Sequence, residues 1–140
     1  MKPVTVSAVI HLHFRGQARD ALAFYQSVFG GQLNAATYRD FNQVTNEAEA
    51  EQLIWGQVAA ESGFRVMAYD VPSHTPWNPG ENAFMIALEA KTQEEIRASW
   101  DKLSDGAAVL SELQPTQWSA LAGMLKDRFG TTWSLSVAAA

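Results

Sequence analysis

Residues 6–14 alternate with a period of two. Ile10, Leu12 and Phe14 fall on one side and Val9, His11 and His13 on the other, which predicts a strand with one apolar face and one face carrying two imidazoles. After Gly16 the period changes. Ala18, Ala21, Leu22, Tyr25, Val28 and Phe29 follow helical spacing within 17–29, and Gly30–Gly31 then offers residues that accept positive φ and stop a helix. A strand is predicted at 32–38. The polar stretch 39–51 reads as loop or frayed helix, and strands at about 53–60 and 64–70 follow, joined by the turn signal Glu61–Ser62–Gly63. In the second of these, Phe64, Val66 and Ala68 lie opposite Arg65, Met67 and Tyr69.

Residues 71–82, VPSHTPWNPGEN, concentrate proline, glycine and asparagine and read as a linker. Beyond it the pattern restarts. In 83–90, Phe84, Ile86 and Leu88 alternate with Ala83, Met85, Ala87 and Glu89. Thr92 with Glu95 three residues on forms a capping box, and Ile96, Trp100 and Leu103 line one helix face until Gly106. Strands at about 107–113, 121–126 and 131–137 complete the chain. Sliding the halves by 76 residues sets Ile10 on Ile86, Leu12 on Leu88, Phe24 on Trp100 and Gly30 on Gly106, and a slide of 67 sets Gly63 on Gly130 and Met67 on Ser134. The expected organisation is a single domain of two repeated strand–helix–three-strand modules, at about 1–70 and 83–140, around the linker. Each is too small to bury its sheet alone, so the modules are expected to pack together or to exchange partners in a dimer.

Composition narrows the function. The 140 residues include 47% apolar and 18% charged side chains, which is globular. Ten Lys and Arg against fifteen Asp and Glu give a net charge of −5, which argues against nucleic acid and anionic membrane surfaces as partners. There is no cysteine, so disulfides, thiolate metal sites and cysteine nucleophiles are excluded. The N-terminus is broken by Pro3, His11 and His13 and lacks the form of a signal peptide, and no apolar run is long enough to span a membrane. A cytoplasmic protein is expected.

Three stretches carry a resemblance: HLHFRGQARDALAFYQSVFGG (11–31), FRVMAYD (64–70) and LQPTQWSALAGMLKDRFGTTWSLSV (113–137). The last contains Trp, a spacer, Gly-Met, a spacer and Asp-x-Phe-Gly-x-x-Trp. Together they resemble the PhnB-like branch of the glyoxalase, bleomycin-resistance and dioxygenase (vicinal oxygen chelate) superfamily. That resemblance implies an α+β fold of two βαβββ modules whose curved mixed sheets form an open cleft, and a homodimer. It also implies four ligand positions in metal-dependent members, on the first and last strand of each module. By strand register these fall on Val9, Met85, Met67 and Ser134, none of which is an imidazole or carboxylate, so the usual metal site is expected to be absent. The methyltransferase label sometimes given to this branch finds no support, because no glycine-rich strand-to-helix loop for a nucleotide-like cofactor is present. No cofactor is expected.

Alternation assigns to the cleft face His11, His13, Arg65, Met67, Tyr69, Met85 and Glu89, with Trp118 beside the cleft or at a subunit interface. His11 and His13, two apart on a strand, project to the same face, and since imidazole as a side-chain type changes charge in the neutral range, they suit a general base, a ligand anchor or half of a displaced metal site with Glu89. The plainer alternative is a pair of solvated strand histidines. Arg65 reads either as an anion anchor or as a solvated charge, Asp70 as a turn former or a ligand contact, and Trp77 as a lid or as packing for the linker. Trp133 falls on the core side of its strand. The leading expectation is a metal-independent protein binding a small organic molecule, its reaction unassigned. The alternatives are a metal-dependent isomerase, lyase or dioxygenase with a displaced site, and a resistance-type protein that sequesters a toxic compound.

Overall fold

The computed structural model describes residues 6–139. The chain divides into two compact units, one running through Pro79 and one from Gly80 onward. The first contains β1 (Ile10–Phe14), α1 (Ala18–Phe29), β2 (Gln32–Thr37), β3 (Leu53–Ala59) and β4 (Arg65–Asp70). The second contains β5 (Ile86–Ala90), α2 (Gln93–Leu103), β6 (Ala108–Gln114), β7 (Ala122–Lys126) and β8 (Thr132–Val137). Each unit builds one four-stranded mixed sheet with the same topology, β1-β4-β3-β2 and β5-β8-β7-β6, in which the first and last strands pair parallel and the others antiparallel. The expected pair of βαβββ modules is what the chain forms.

Two expected strands are shorter than their alternation suggested. β1 starts at Ile10 rather than residue 6, and β5 at Ile86 rather than 83. Alternation continues upstream in both, but hydrogen-bonding partners do not: Ile10 pairs with Val66 and Ile86 with Trp133, close to where β4 and β8 begin. Val9 and Met85 therefore precede their strands. The polar 39–51 stretch contains turns and one 3-10 turn, Glu47–Glu49, capped by the Asn46 side chain.

One helix lies against each sheet. In the first unit Leu12, Phe14, Val58, Val66 and Ala68 meet Ala18, Ala21, Leu22, Tyr25 and Val28, all buried. Full burial of a side chain such as Leu22 is worth about 2 kcal/mol. In the second, Leu125, Trp133 and Leu135 meet Ile96, Trp100 and Leu103. The buried helix positions match at a slide of 75, Tyr25 with Trp100 and Val28 with Leu103, instead of Phe24 with Trp100. The reason is local. The connection from β5 to α2 is one residue shorter than that from β1 to α1, so the helix turns its apolar stripe back by one position.

Both helices approach their sheets over a glycine. A Cβ on Gly56 would lie 2.4 Å from Leu22 Cδ1, and one on Gly123 would lie 2.9 Å from Trp100 Cζ3 and 3.0 Å from Leu113 Cα. At the end of α1, Gly31 has φ 91° and sits where a Cβ would be 2.3 Å from the Ala59 carbonyl oxygen, so both the turn and the packing require glycine.

The helix starts differ. α2 begins on its own Thr92, whose hydroxyl accepts from Glu95 N–H at 3.2 Å and donates to Glu95 Oε1 at 2.8 Å. No side chain of Gln17 caps α1. Its opening amides instead reach the carboxylate of Asp70, fifty-odd residues away on β4: Gly16 N–H at 2.7 Å and Ala18 N–H at 3.1 Å on one oxygen, with Leu53 N–H at 2.9 Å on the other. Tyr38 donates to the Asp70 backbone carbonyl at 2.5 Å. Asp70 thus points to the helix side and joins α1, β3 and β4. It is neither the turn former nor the ligand contact that the sequence suggested.

Candidate functional site

The face of the first sheet opposite α1 carries its polar chemistry. Strand pairing sets Asn34, Gln57, Met67 and His11 in one row across all four strands, because Asn34 pairs with Gln57, Gln57 with Met67 and Met67 with His11. His13 pairs with Tyr69 in the next row along β1 and β4. Successive residues of a strand alternate faces, so His11 and His13 share a side while Leu12 and Phe14 go into the core.

The three rings at this end form a cluster. His11 and His13 centroids are 5.3 Å apart, His11 and Tyr69 5.4 Å, and His13 and Tyr69 4.8 Å, all close to edge-on. Edge-on packing sets the positive rim of one ring against the electron-rich face of another, which fixes ring orientation. Partial burial first, and the neighbouring His13 second, hold the His11 imidazole below its ordinary pKa, against a backbone hydrogen bond at Leu12 that acts in the opposite direction. The shift favours the neutral imidazole, the form that can accept a hydrogen bond. Behind the cluster, burial raises the Tyr38 phenol, with Tyr69, Asp70 and Glu49 adding to the same effect.

Of the residues singled out from sequence, His11, His13, Met67 and Tyr69 come together on this face. Arg65 shares that face of β4 at the end away from Tyr69, exposed, where its Nε donates at 2.8 Å to Oε1 of Gln57, which stands in the His11 row. Met85, Glu89 and Trp118 belong to the second unit. Met85 precedes β5, Glu89 is exposed opposite Ser136, and Trp118 stands on the β6–β7 connection with 74% of its surface exposed. Of the four positions carried over from the family pattern, Met67 and Ser134 lie on β4 and β8, where they pair with His11 and Ala87, while Val9 and Met85 precede β1 and β5. Among the described residues no group of three His, Asp or Glu side chains is gathered to hold a metal ion.

Gln57, Trp55 and Asn34 were not anticipated. The segment 53–60 was expected as a strand, but its faces depend on a register shift at the Ala36/Thr37 step, where Trp55 pairs with Ala36 and Leu53 with Thr37. Such a bulge inverts alternation on one side of it. The alternation of Trp55, Gln57 and Ala59 with buried Gly56 and Val58 was the available signal. Trp133 is fully buried, as expected, and its indole N–H donates to Asp127 Oδ2 at 2.9 Å. Asp127 Oδ1 also receives Phe129 and Thr131 N–H, so the Asp-x-Phe-Gly-x-x-Trp pattern is the hydrogen-bonded corner between β7 and β8.

A protein of paired βαβββ units with a polar sheet face is the architecture of a known superfamily. The family model for the glyoxalase/bleomycin resistance protein/dioxygenase superfamily matches residues 9–135, and the chain belongs to that superfamily. Within it, the chain is similar to protein YjdN of Escherichia coli strain K12, at 25% identity over 138 residues, covering 91% of this chain and 92% of that protein. Among solved structures it is similar to protein PA1353 of Pseudomonas aeruginosa, with 28% identity, a TM-score of 0.81 and coverage of 95% and 98%. It is also similar to the PhnB protein of Bacillus cereus, which carries a provisional 3-demethylubiquinone-9 3-methyltransferase name, with 25% identity, a TM-score of 0.72 and coverage of 95% and 100%. The resemblance to the PhnB-like branch is borne out. No helix among the described residues is long and apolar enough to cross a membrane.

Proposed function

We propose that the polar face of the first sheet binds a small organic molecule, with His11, His13, Met67 and Tyr69 as its anchor and without the metal set used elsewhere in the superfamily. The reading rests above all on the ring cluster. Two imidazoles and a phenol held edge-on, on the face away from the helix, are a preorganised group of donors and acceptors rather than core packing. Met67 beside His11 adds a soft apolar contact. A neutral His11 accepts a hydrogen bond from a hydroxyl, amide or protonated acid group on the ligand. The same proposal takes the chain as one domain of two modules, 1–70 and 83–140, acting as a cytoplasmic homodimer.

The test is an NMR titration of the labelled full chain with a library of fragment-sized organic compounds, alongside elemental analysis of protein purified without added metal. Shifts centred on His11, His13, Met67 and Tyr69, absent in a His11→Ala, His13→Ala double variant, are expected. Shifts located elsewhere would refute the assignment. Metal near one equivalent per chain, or thermal stabilisation by zinc, nickel, manganese or iron that the double variant loses, would replace the metal-free reading with the metal-dependent one.

A further inference from the structure

β1 is an edge strand, and half of its backbone groups face away from the sheet. In a parallel ladder a residue's N–H and C=O point to the same side, and neighbours alternate. The Phe14 carbonyl accepts from Val71 N–H on the β4 side, so the His13 carbonyl points outward. It is not left to water. The indole N–H of Trp77 donates to it at 3.1 Å.

Arg15 holds the segment that brings Trp77 there. Its Nε donates to the Val71 carbonyl at 3.2 Å, and its Nη2 donates to the carbonyls of Pro72, at 3.2 Å, and of Thr75. The guanidinium carbon lies 5.6 Å from the centroid of the Trp77 ring, within cation–π range. One arginine at the end of β1 therefore grips the base and middle of the Val71–Pro79 segment and stacks on its tip. This segment is rich in proline and polar residues and contains no helix or strand; its middle is also tied by the Ser73 N–H and hydroxyl, which donate to Glu49 Oε1, and by the Thr75 N–H, which donates to the Pro72 carbonyl, but none of these contacts involves Trp77. The contact made by its tip falls on the residue whose ring packs against both His11 and Tyr69.

We propose that Arg15 and Trp77 are positioning residues for the histidine face: they clip Val71–Pro79 onto the open edge of β1 and thereby fix the His13 backbone that orients the ring cluster. The proposal rests on the binding reading for its purpose, while the clip itself is defined by geometry without any ligand. A planar fork is needed to serve several carbonyls and a ring at once, so lysine at position 15 replaces the charge but not the grip.

The test uses the labelled full chain and the variants Trp77→Phe, Arg15→Lys and Arg15→Gln, with Phe41→Leu as a control on an exposed aromatic residue outside the site. Trp77→Phe keeps an aromatic ring for Arg15 while removing the indole N–H along with the larger bicycle. Weaker cross-peaks between the His13 and Tyr69 rings are expected in all three variants, with amide exchange at Leu12 and Phe14 faster by about five- to tenfold, the order expected for one lost hydrogen bond. Exchange at Asn34 and Val58, on β2 and β3, is expected to stay unchanged, and Arg15→Lys to fall between wild type and Arg15→Gln. Unchanged ring contacts in Trp77→Phe would overturn the proposal. Loss of protection throughout the first unit in every variant would overturn it too, because the clip would then support the fold rather than the site. Fragments that shift His11 and Tyr69 in the wild type should bind Trp77→Phe at least threefold more weakly. Equal affinity would overturn the positioning role and leave the binding reading standing, whereas an absence of wild-type binding would remove the binding reading while the ring contacts still decide the clip.

Discussion

The two units repeat one topology and differ almost entirely in what their sheets present away from the helix. In the first, His11, His13, Met67 and Tyr69 stand there; at the corresponding positions of the second, pairing places Ala87, Glu89, Ser134 and Ser136. The helix side is apolar in both, with Val66 and Ala68 answered by Trp133 and Leu135, and Gly56 by Gly123. Packing constrains the helix side to apolar residues of complementary size. The opposite face carries no such demand, so one copy holds a ring cluster while the other holds small and acidic side chains. The ring cluster belongs to one half of a repeated fold.

The sharpest break in the symmetry of the helix side is Asp70, whose place in β8 is taken by Val137. Asp70→Ala leaves three amides without their acceptor, and a loss of about 3–5 kcal/mol in urea unfolding is expected. The second unit closes its corresponding corner with Ser119, whose hydroxyl lies 3.1 Å from Val137 N–H and 2.9 Å from the Leu121 and Val137 carbonyls, so Ser119→Ala should cost only about 1–2 kcal/mol.

The paired glycines give the next largest effect. Gly123→Ala drives a Cβ against the Leu113 backbone as well as Trp100, and a cost of about 2–3 kcal/mol is expected. Gly56→Ala meets first the terminal methyl of Leu22, which can rotate away, and should cost about 1 kcal/mol less. Equal losses in denaturant unfolding would show that the two helix seats are equally rigid.

The ring cluster predicts a pH response confined to the first unit. Because the folded pKa of His11 is lowered, the unfolded chain binds its proton first, and the stability His11 contributes is complete above its ordinary value of 6.5 and falls as the pH drops through that value toward the folded one. His11→Gln should flatten the stability profile in that window, as followed by thermal melts from pH 5 to 8. The smallest effect on stability belongs to a transplant. Ala87→His, Glu89→His and Ser136→Tyr together should rebuild the ring cluster on the second sheet, visible as ring-to-ring cross-peaks, for a stability change within about 0.5 kcal/mol. Failure of the rings to meet would show that the first cluster needs more than its strand register.

Much of this was legible along the chain. The period changes at Gly16 and Thr92, the glycine stops and the faces of β1, β4 and β8 follow from alternation and helical spacing, because those depend on residues a few positions apart. The histidine pair was legible for the same reason. The faces of β3 were obscured by a bulge, and the true starts of β1 and β5 were hidden because alternation does not reveal whether a partner strand is present. The helix slide of 75 in place of 76 came from a connection shortened by one residue, a difference that faint repeat similarity does not register.

The contrast between Thr92 and Asp70 shows where the sequence by itself stopped. A cap supplied by the residue before a helix is local, and Thr92 with Glu95 announced α2 from the sequence alone. The cap of α1 arrives from β4, and only the folded sheet brings the Asp70 carboxylate under Gly16 and Ala18. The same division runs through the site. The sequence determined that His11 and His13 share a face and that the chain holds two modules without cysteine. Alternation also put Met67 and Tyr69 on the expected cleft face; the tertiary structure decided that they stand directly opposite the two histidines and that Trp77 reaches the His13 carbonyl, because those contacts are set by strand register and by a loop folded back onto an edge.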